Sequence, residues 1–88
     1  MFITKHAYLQ VADDIVRRID EREFTIKLPA ERALAEEYQT AYTTVRRAAR
    51  ELRKRGVITT IHGRGTFIAN AVPADASHRR DPAGDDDL

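Results

Sequence analysis

The sequence contains no cysteine among its 88 residues, which excludes disulfide bonds and thiolate metal sites. It also lacks an apolar run near the roughly 20 residues that a membrane-spanning helix requires. No charged and then apolar leader opens the chain, so secretion has no support either. We therefore expect a cytoplasmic protein with no membrane partner.

Residues that would form a catalytic or metal site are scattered along the chain. The three histidines, His6, His62 and His78, are far apart, and no nucleophile with a neighbouring base and no phosphate-binding loop is recognisable. A chain of this length forms one domain with a modest core and has no room for a second domain with a ligand cavity. We expect neither enzymatic activity nor a cofactor, a metal or a small-molecule site.

The net charge of only +1 hides an uneven distribution. Residues 42–64 carry seven Lys or Arg and one Glu, a net charge of +6. Residues 8–41 carry five basic and eight acidic side chains, and residues 71–88 carry two and five, so each segment has a net charge of −3. The centre of the chain is therefore basic. The 12 Arg against three Lys fit a GC-rich genome as well as they fit selection for arginine.

The spacing of apolar residues predicts three helices. Helix 1 is expected from Tyr8 to about Arg22, helix 2 from about residue 30 to 38, and helix 3 from Tyr42 to Arg55, with Gly56 as its stop. The segment "EFTIKLP" between the first two helices indicates a turn or a brief strand. Only three residues connect helices 2 and 3, which is the spacing of a helix-turn-helix.

The segments "VITTIH" and "TFIAN" are rich in β-branched residues and flank Gly63-Arg64-Gly65, so they predict a β-hairpin. Residues 71–88 are rich in Ala, Pro and Asp and predict a disordered acidic tail. The expected architecture is mostly α with a small β-hairpin, a winged helix-turn-helix of three helices plus wing, over residues 1–70.

A helical wheel separates the two sides of helix 3. Its core side consists of Val45, Ala48, Ala49 and Leu52, and its opposite side consists of Thr43, Arg46, Arg47, Arg50 and Lys54. A basic stripe of this kind suits a helix in a DNA major groove, with Thr43 and Arg46 near base edges and the later arginines near phosphates. Arg64 at the hairpin tip suits the minor groove or its phosphates, whereas the glycines beside it also fit a simple turn requirement.

Residues 28–67 resemble the winged helix-turn-helix domain of the GntR family of bacterial transcription regulators. The matching residues are Leu28-Pro29-Ala30-Glu31-Arg32, Leu34-Ala35, Thr43-Thr44-Val45-Arg46, Leu52, Gly56, Gly63 and Gly65-Thr66-Phe67. The resemblance implies dimers bound to double-stranded operator DNA, with Arg32, Thr43, Arg46, His62 and Gly63 at the DNA. Together with the basic stripe, it gives these expected DNA-binding residues: Arg32, Tyr42, Thr43, Thr44, Arg46, Arg47, Arg50, His62, Gly63 and Arg64.

The sequence departs from the family between helices 2 and 3. The family commonly has Gly-Val-Ser-Arg where this chain has Gln39-Thr40-Ala41-Tyr42. Tyr42 could bond to a phosphate or stack on a sugar, or it could pack at the helix start. Thr40 is the expected substitute for the lost serine cap. Arg32 could equally form an ion pair with Glu31 or Glu36 within helix 2.

Only an 18-residue tail follows the wing, where most of the family has a ligand-binding and dimerising domain. The chain is thus either a minimal regulator or a fragment of a larger effector-regulated repressor. We expect a weak or DNA-induced homodimer that uses helix 1 and the apolar residues Met1, Phe2 and Ile3.

The expected function is sequence-specific binding of double-stranded DNA by a transcription regulator, a repressor rather than an activator, associated with the nucleoid. The alternative from another class is a protein-interaction module that offers the acidic side of helices 1 and 2 to a basic partner.

Overall fold

A computed structural model describes residues 6–72 and shows three helices followed by a hairpin. The elements are α1 (Ala7–Asp20), α2 (Glu31–Tyr38), α3 (Tyr42–Lys54), β1 (Ile58–Ile61), β2 (Gly65–Ile68) and a 3₁₀ turn (Ala69–Ala71). The predicted winged helix-turn-helix fold is confirmed. The N-terminal residues 1–5 and the greater part of the predicted tail, residues 73–88, lie outside the described residues.

The core is built around α3, which packs against both other helices and the first strand. Ile15, Val45 and Leu52 are the largest side chains that are fully buried. The remaining buried members of this cluster are Val11, Ala12, Leu28, Leu34, Ala48, Ala49 and Ile58. All four residues predicted for the core side of α3 are among them, because a helical period of 3.6 places them on one stripe.

The two strands pair antiparallel, from Ile58 opposite Ile68 to Ile61 opposite Gly65. The segment predicted as a turn or brief strand adds a short third edge, since Lys27 forms a β-bridge with Phe67. The Leu28 amide donates to the Thr66 carbonyl oxygen at 2.9 Å. This bridge ties the connection between α1 and α2 to β2, so the hairpin is held to the helical part of the molecule on both of its strands.

All three helices end in the same hydrogen-bonded motif. The amides of Glu23, Thr40 and Val57 donate to carbonyl oxygens five residues back, at 2.8 to 3.0 Å. Such a motif needs a left-handed residue just past the helix. Gly56, the predicted stop of helix 3, fills this position with φ 78°, whereas α1 and α2 use Arg22 and Gln39, with φ 68° and 52°.

The start of α3 has no side-chain cap. Its N-cap residue is Ala41, whose methyl group accepts no hydrogen bond. The expectation that Thr40 provides the cap is wrong, because Thr40 lies one residue too early and its amide is used in the end of α2, donating to Ala35. The first amides of α3 therefore lack the side-chain acceptor that a serine would supply.

A polar network fixes α2 against α1. The Tyr38 hydroxyl donates to Asp14 Oδ2 at 2.7 Å and accepts from Arg18 Nη1 at 3.0 Å. Arg18 also pairs with Glu23 and Glu37. Burial, together with the bond to Asp14, raises the pKa of Tyr38 to about 12, and the same bond lowers the pKa of Asp14. The hydroxyl thus stays protonated and the carboxylate charged at neutral pH, which preserves the network.

We predict that Ala41→Ser stabilises the protein by about 1 kcal/mol, because a serine oxygen at the N-cap would accept an amide from the first turn of α3. Urea denaturation followed by circular dichroism measures the change. Ala33→Ser, in the exposed middle of α2, is the matched control and should cost about 0.5 kcal/mol through helix propensity. A loss of stability in Ala41→Ser similar to that of the control would show that this helix start does not need a cap.

Candidate nucleic-acid interface

The solvent side of α3 carries a continuous set of cations. Arg46, Arg47, Arg50 and Lys54 are all exposed, and Thr43 is exposed beside them at the start of the helix. Among residues 6–72, none of these four cations forms an ion pair, whereas Arg17, Arg18 and Arg55 do. No carboxylate among residues 6–72 therefore neutralises the charge of this surface, which suits an anionic partner.

Tyr42 brings two of the predicted DNA-binding arginines together. The guanidinium carbon of Arg32, from the start of α2, lies 4.4 Å from the centroid of the Tyr42 ring. The guanidinium carbon of Arg46, one turn further along α3, lies 5.8 Å from the same centroid. Of the alternatives open for Arg32, ion pairing with Glu31 or Glu36 is not what the structure shows. Two cations from two helices instead share one aromatic ring.

A second tyrosine holds another arginine of the same surface. The guanidinium carbon of Arg47 lies 4.1 Å from the centroid of the Tyr8 ring in α1. For Arg50 and Lys54 the described residues provide no such ring. The basic surface thus contains arginines that lie against aromatic rings, and further along the helix it contains Arg50 and Lys54, which do not.

An open depression of about 700 Å³ lies between the starts of α2 and α3 and the hairpin. Its lining residues are Ala30, Glu31, Arg32, Tyr42, Arg46, Arg53, Thr60 and Thr66. Arg53 Nη1 donates to Thr60 Oγ1 at 2.9 Å, and Thr60 Oγ1 lies 3.2 Å from Thr66 Oγ1 on the neighbouring strand. These hydrogen bonds therefore connect α3 to both strands of the hairpin along the edge of the depression.

Arg53 also lines this depression, although it was not predicted as a site residue. The spacing does contain a signal for it, because Arg46 and Arg53 are seven residues apart and so project from the same side of a helix. Its partner Thr60 could not be identified from sequence, since that contact depends on the position of the hairpin.

The turn at the hairpin tip consists of three exposed residues, His62, Gly63 and Arg64. The Arg64 amide donates to the Ile61 carbonyl oxygen at 2.9 Å and closes the turn. Gly63 has φ 78°, as the third position of a type II turn requires. Gly65 begins β2 with φ 114°, and a Cβ there would lie 2.5 Å from Lys27 Cε. The positive φ at each position is thus sufficient to explain both glycines.

The remaining predicted residue, Thr44, is half-buried in the first turn of α3. The predicted set therefore divides into three groups. Arg32, Tyr42 and Arg46 converge at the depression, Thr43, Arg47 and Arg50 form the outer side of α3, and the tip of the hairpin stands apart. Within residues 6–72, no three metal-ligating side chains come together and no helix is long and apolar enough to cross a membrane.

Comparison with known proteins gives consistent matches. Residues 7–68 match the family described as bacterial regulatory proteins, gntR family. An uncharacterised HTH-type transcriptional regulator of Bacillus subtilis, YhcF, is 37% identical over 68 residues, which are 75% of this chain and 56% of that protein. An arabinose metabolism transcriptional repressor of Geobacillus stearothermophilus is 34% identical over 70 residues, which are 77% of this chain and 19% of that protein.

A solved structure extends the similarity to three dimensions. The crystal structure of AraR(DBD) in complex with operator ORR3 superposes with a TM-score of 0.70 at 27% identity, covering 78% of this chain and 86% of that one. The chain spans about half the length of YhcF and about a fifth of the arabinose repressor. The similarity thus concerns the winged helix-turn-helix part of longer relatives.

We predict that Arg53→Ala loosens the hairpin without unfolding the helices. Loss of the bond to Thr60, worth about 1 kcal/mol, should speed amide hydrogen exchange in β1 by about fivefold while exchange in the core of α3 stays within twofold. Lys54→Ala, at the next and exposed position, is the control and should leave both rates unchanged. Equal exchange in β1 for the two variants would show that Arg53 does not hold the wing.

Proposed function

Since the chain belongs to the gntR family of bacterial regulatory proteins, we propose that it binds double-stranded operator DNA sequence-specifically and regulates transcription. This family consists of regulatory proteins rather than enzymes. The observation that carries the proposal is the exposed side of α3, where four cations have no ion-pair partner among residues 6–72. A surface of this charge and width suits the anionic walls of a DNA groove.

In the proposed complex, α3 occupies the major groove, whose width of about 12 Å admits one helix. Arg32 and Arg46 face base edges from the start of α2 and α3, with Thr43 beside them. Arg47, Arg50 and Lys54 neutralise phosphates on the groove walls. The hairpin tip, with His62, Gly63 and Arg64, reaches the adjacent minor groove, where a thin cationic tip fits.

We propose that the regulator acts as a repressor. The arabinose relative is named a repressor, and occupation of an operator is sufficient to block transcription without any further contact surface. A protein with this partner works at the nucleoid, within the cytoplasm.

We further propose that two copies bind a two-fold operator. One winged helix covers too little DNA to discriminate a single genomic site, and two half-sites solve this problem. The segment proposed for the contact between copies, Met1 to Ile3, lies outside the described residues, and α1 is the second proposed contact. Selection from a pool of random duplexes should then yield inverted half-sites, whereas single half-sites would argue against a dimer.

The alternative of a protein-interaction module loses its main support from the acidic side chains of α1. Asp14 and Glu21 pair with Arg17, Glu23 pairs with Arg18, and Asp13 pairs with Arg55. Carboxylates that are already paired within the chain offer a basic partner little. Among residues 6–72, three carboxylates remain without an ion pair, those of Asp20, Glu31 and Glu36, against four exposed cations on α3 alone.

Phosphate contacts should dominate binding, so we predict a steep dependence on salt. With about five or six phosphates neutralised per protomer, the logarithm of the association constant should fall with the logarithm of salt concentration with a slope of about −5 per half-site. Fluorescence anisotropy of a labelled duplex, measured across a range of salt concentrations, gives the slope. A slope near zero is incompatible with binding in a groove.

Arg46→Ala should weaken operator binding by about 1 to 3 kcal/mol and weaken binding to a scrambled duplex less, because a base contact is lost only on the operator. Arg17→Ala is the control, since it removes the same charge from α1 at a site away from α3 and should change neither affinity by more than about twofold. Equal losses on both duplexes for Arg46→Ala would assign that residue to a phosphate.

A further inference from the structure

Tyr42 stands where the family commonly has an arginine, and its contacts suggest a role other than direct recognition of DNA. We propose that Tyr42 is a positioning residue: its ring holds the guanidinium groups of both Arg32 and Arg46, so that the two arginines are prepared to recognise two guanines within one half-site. This inference rests on the proposed binding of operator DNA and deepens it.

The first support is geometric. Arg46 follows Tyr42 by four residues, so the two side chains lie one above the other on α3. Arg32 comes from a different helix, and its guanidinium is nevertheless 4.4 Å from the same ring centroid. Both arginines therefore point to the depression that the same three residues line.

The second support is electrostatic. Two guanidinium groups at the mouth of one depression repel each other, and the described residues give neither of them a carboxylate partner. The faces of an aromatic ring carry partial negative charge, so the ring attracts both cations. Tyr42 thereby stabilises both cations without neutralising their charge, which a carboxylate would do.

The third support is the chemistry of recognition. A guanidinium donates two parallel hydrogen bonds to O6 and N7 of guanine, and this requires its planar fork to be correctly oriented. A long side chain that is restrained before binding loses less conformational freedom when it binds. Arginines held on a ring should thus discriminate guanine better than the same arginines without it.

The test uses the full chain and a duplex that it selects from a random pool, with a scrambled duplex of equal length for comparison. Tyr42→Leu removes the ring but keeps apolar volume and helix propensity. We expect it to lower affinity for the selected duplex about fivefold to twentyfold more than affinity for the scrambled one. Tyr42→Phe should restore most of this selectivity, because the ring rather than the hydroxyl holds the arginines.

Double-mutant cycles on the selected duplex separate positioning from a general loss of stability. When Arg32 is already replaced by Ala, Tyr42→Leu should cost at least twofold less selectivity than in the wild-type background, since one of the two restrained cations is gone. Full additivity of the two substitutions, or failure of Tyr42→Phe to restore selectivity, would overturn the proposal. If Tyr42→Leu kept the wild-type selectivity, Tyr42 would have no positioning role, although DNA binding itself would stand.

A measurement without DNA covers the case in which Tyr42→Leu fails to fold. In the wild-type protein the ring should shift the side-chain Nε–H resonances of Arg32 and Arg46 upfield relative to that of Arg50, which lies on the same side of α3. Resonances at the position of Arg50 would overturn the proposal. A wild-type protein that does not prefer its selected duplex over the scrambled one would contradict the proposed function and this inference together.

Discussion

The division of α3 into two sides is the constraint on which the rest of the structure depends. Val45, Ala48 and Leu52 are completely buried, while Arg46, Arg47 and Arg50 between them are exposed. One helix thus supplies the centre of a small core and most of the cationic surface. Because the buried side fixes the rotation of the helix, packing against α1 determines which side chains reach a partner, and recognition cannot be adjusted independently of folding.

Contacts of α2 and of the hairpin with their neighbours determine where the other proposed DNA-binding residues lie relative to α3. The Tyr38 network sets α2, and with it Arg32, while the bond from Arg53 to Thr60 and the bridge at Lys27 set the hairpin. Aromatic rings then restrain arginines that would otherwise be mobile in solvent. Arg32 and Arg46, which are proposed for base edges, lie against the Tyr42 ring. Of the cations proposed for phosphates, Arg47 lies against Tyr8, whereas Arg50 and Lys54 have no such ring among the described residues. Restraint suits a contact with a base edge, since orientation matters there, and charge alone matters for a phosphate.

Much of this arrangement could be predicted from the sequence, and the failures have physical reasons. Helical periodicity was sufficient to predict the three helices and the two sides of α3, because it depends only on the spacing of residues within one helix. The start of α3 at Tyr42 was predicted correctly, but this start makes Ala41 the N-cap, so the cap expected from Thr40 was wrong by one residue. The left-handed conformations at positions 22 and 39 could not be predicted, because these positions hold Arg22 and Gln39 rather than the glycine that usually indicates such a conformation. The contacts of Tyr42 with Arg32 and of Arg53 with Thr60 join different elements, so only the folded chain reveals them.

The most direct test of the account is nuclear magnetic resonance of the chain during titration with duplex DNA. The account predicts that the largest shifts occur in residues 42–50 of α3 and residues 62–64 of the hairpin tip. Small shifts are expected around Arg17 and Glu21, which are exposed at the C-terminal end of α1. Shifts concentrated on α1 around Arg17, with α3 unchanged, would contradict the central claim that the cationic side of α3 is the surface that binds DNA.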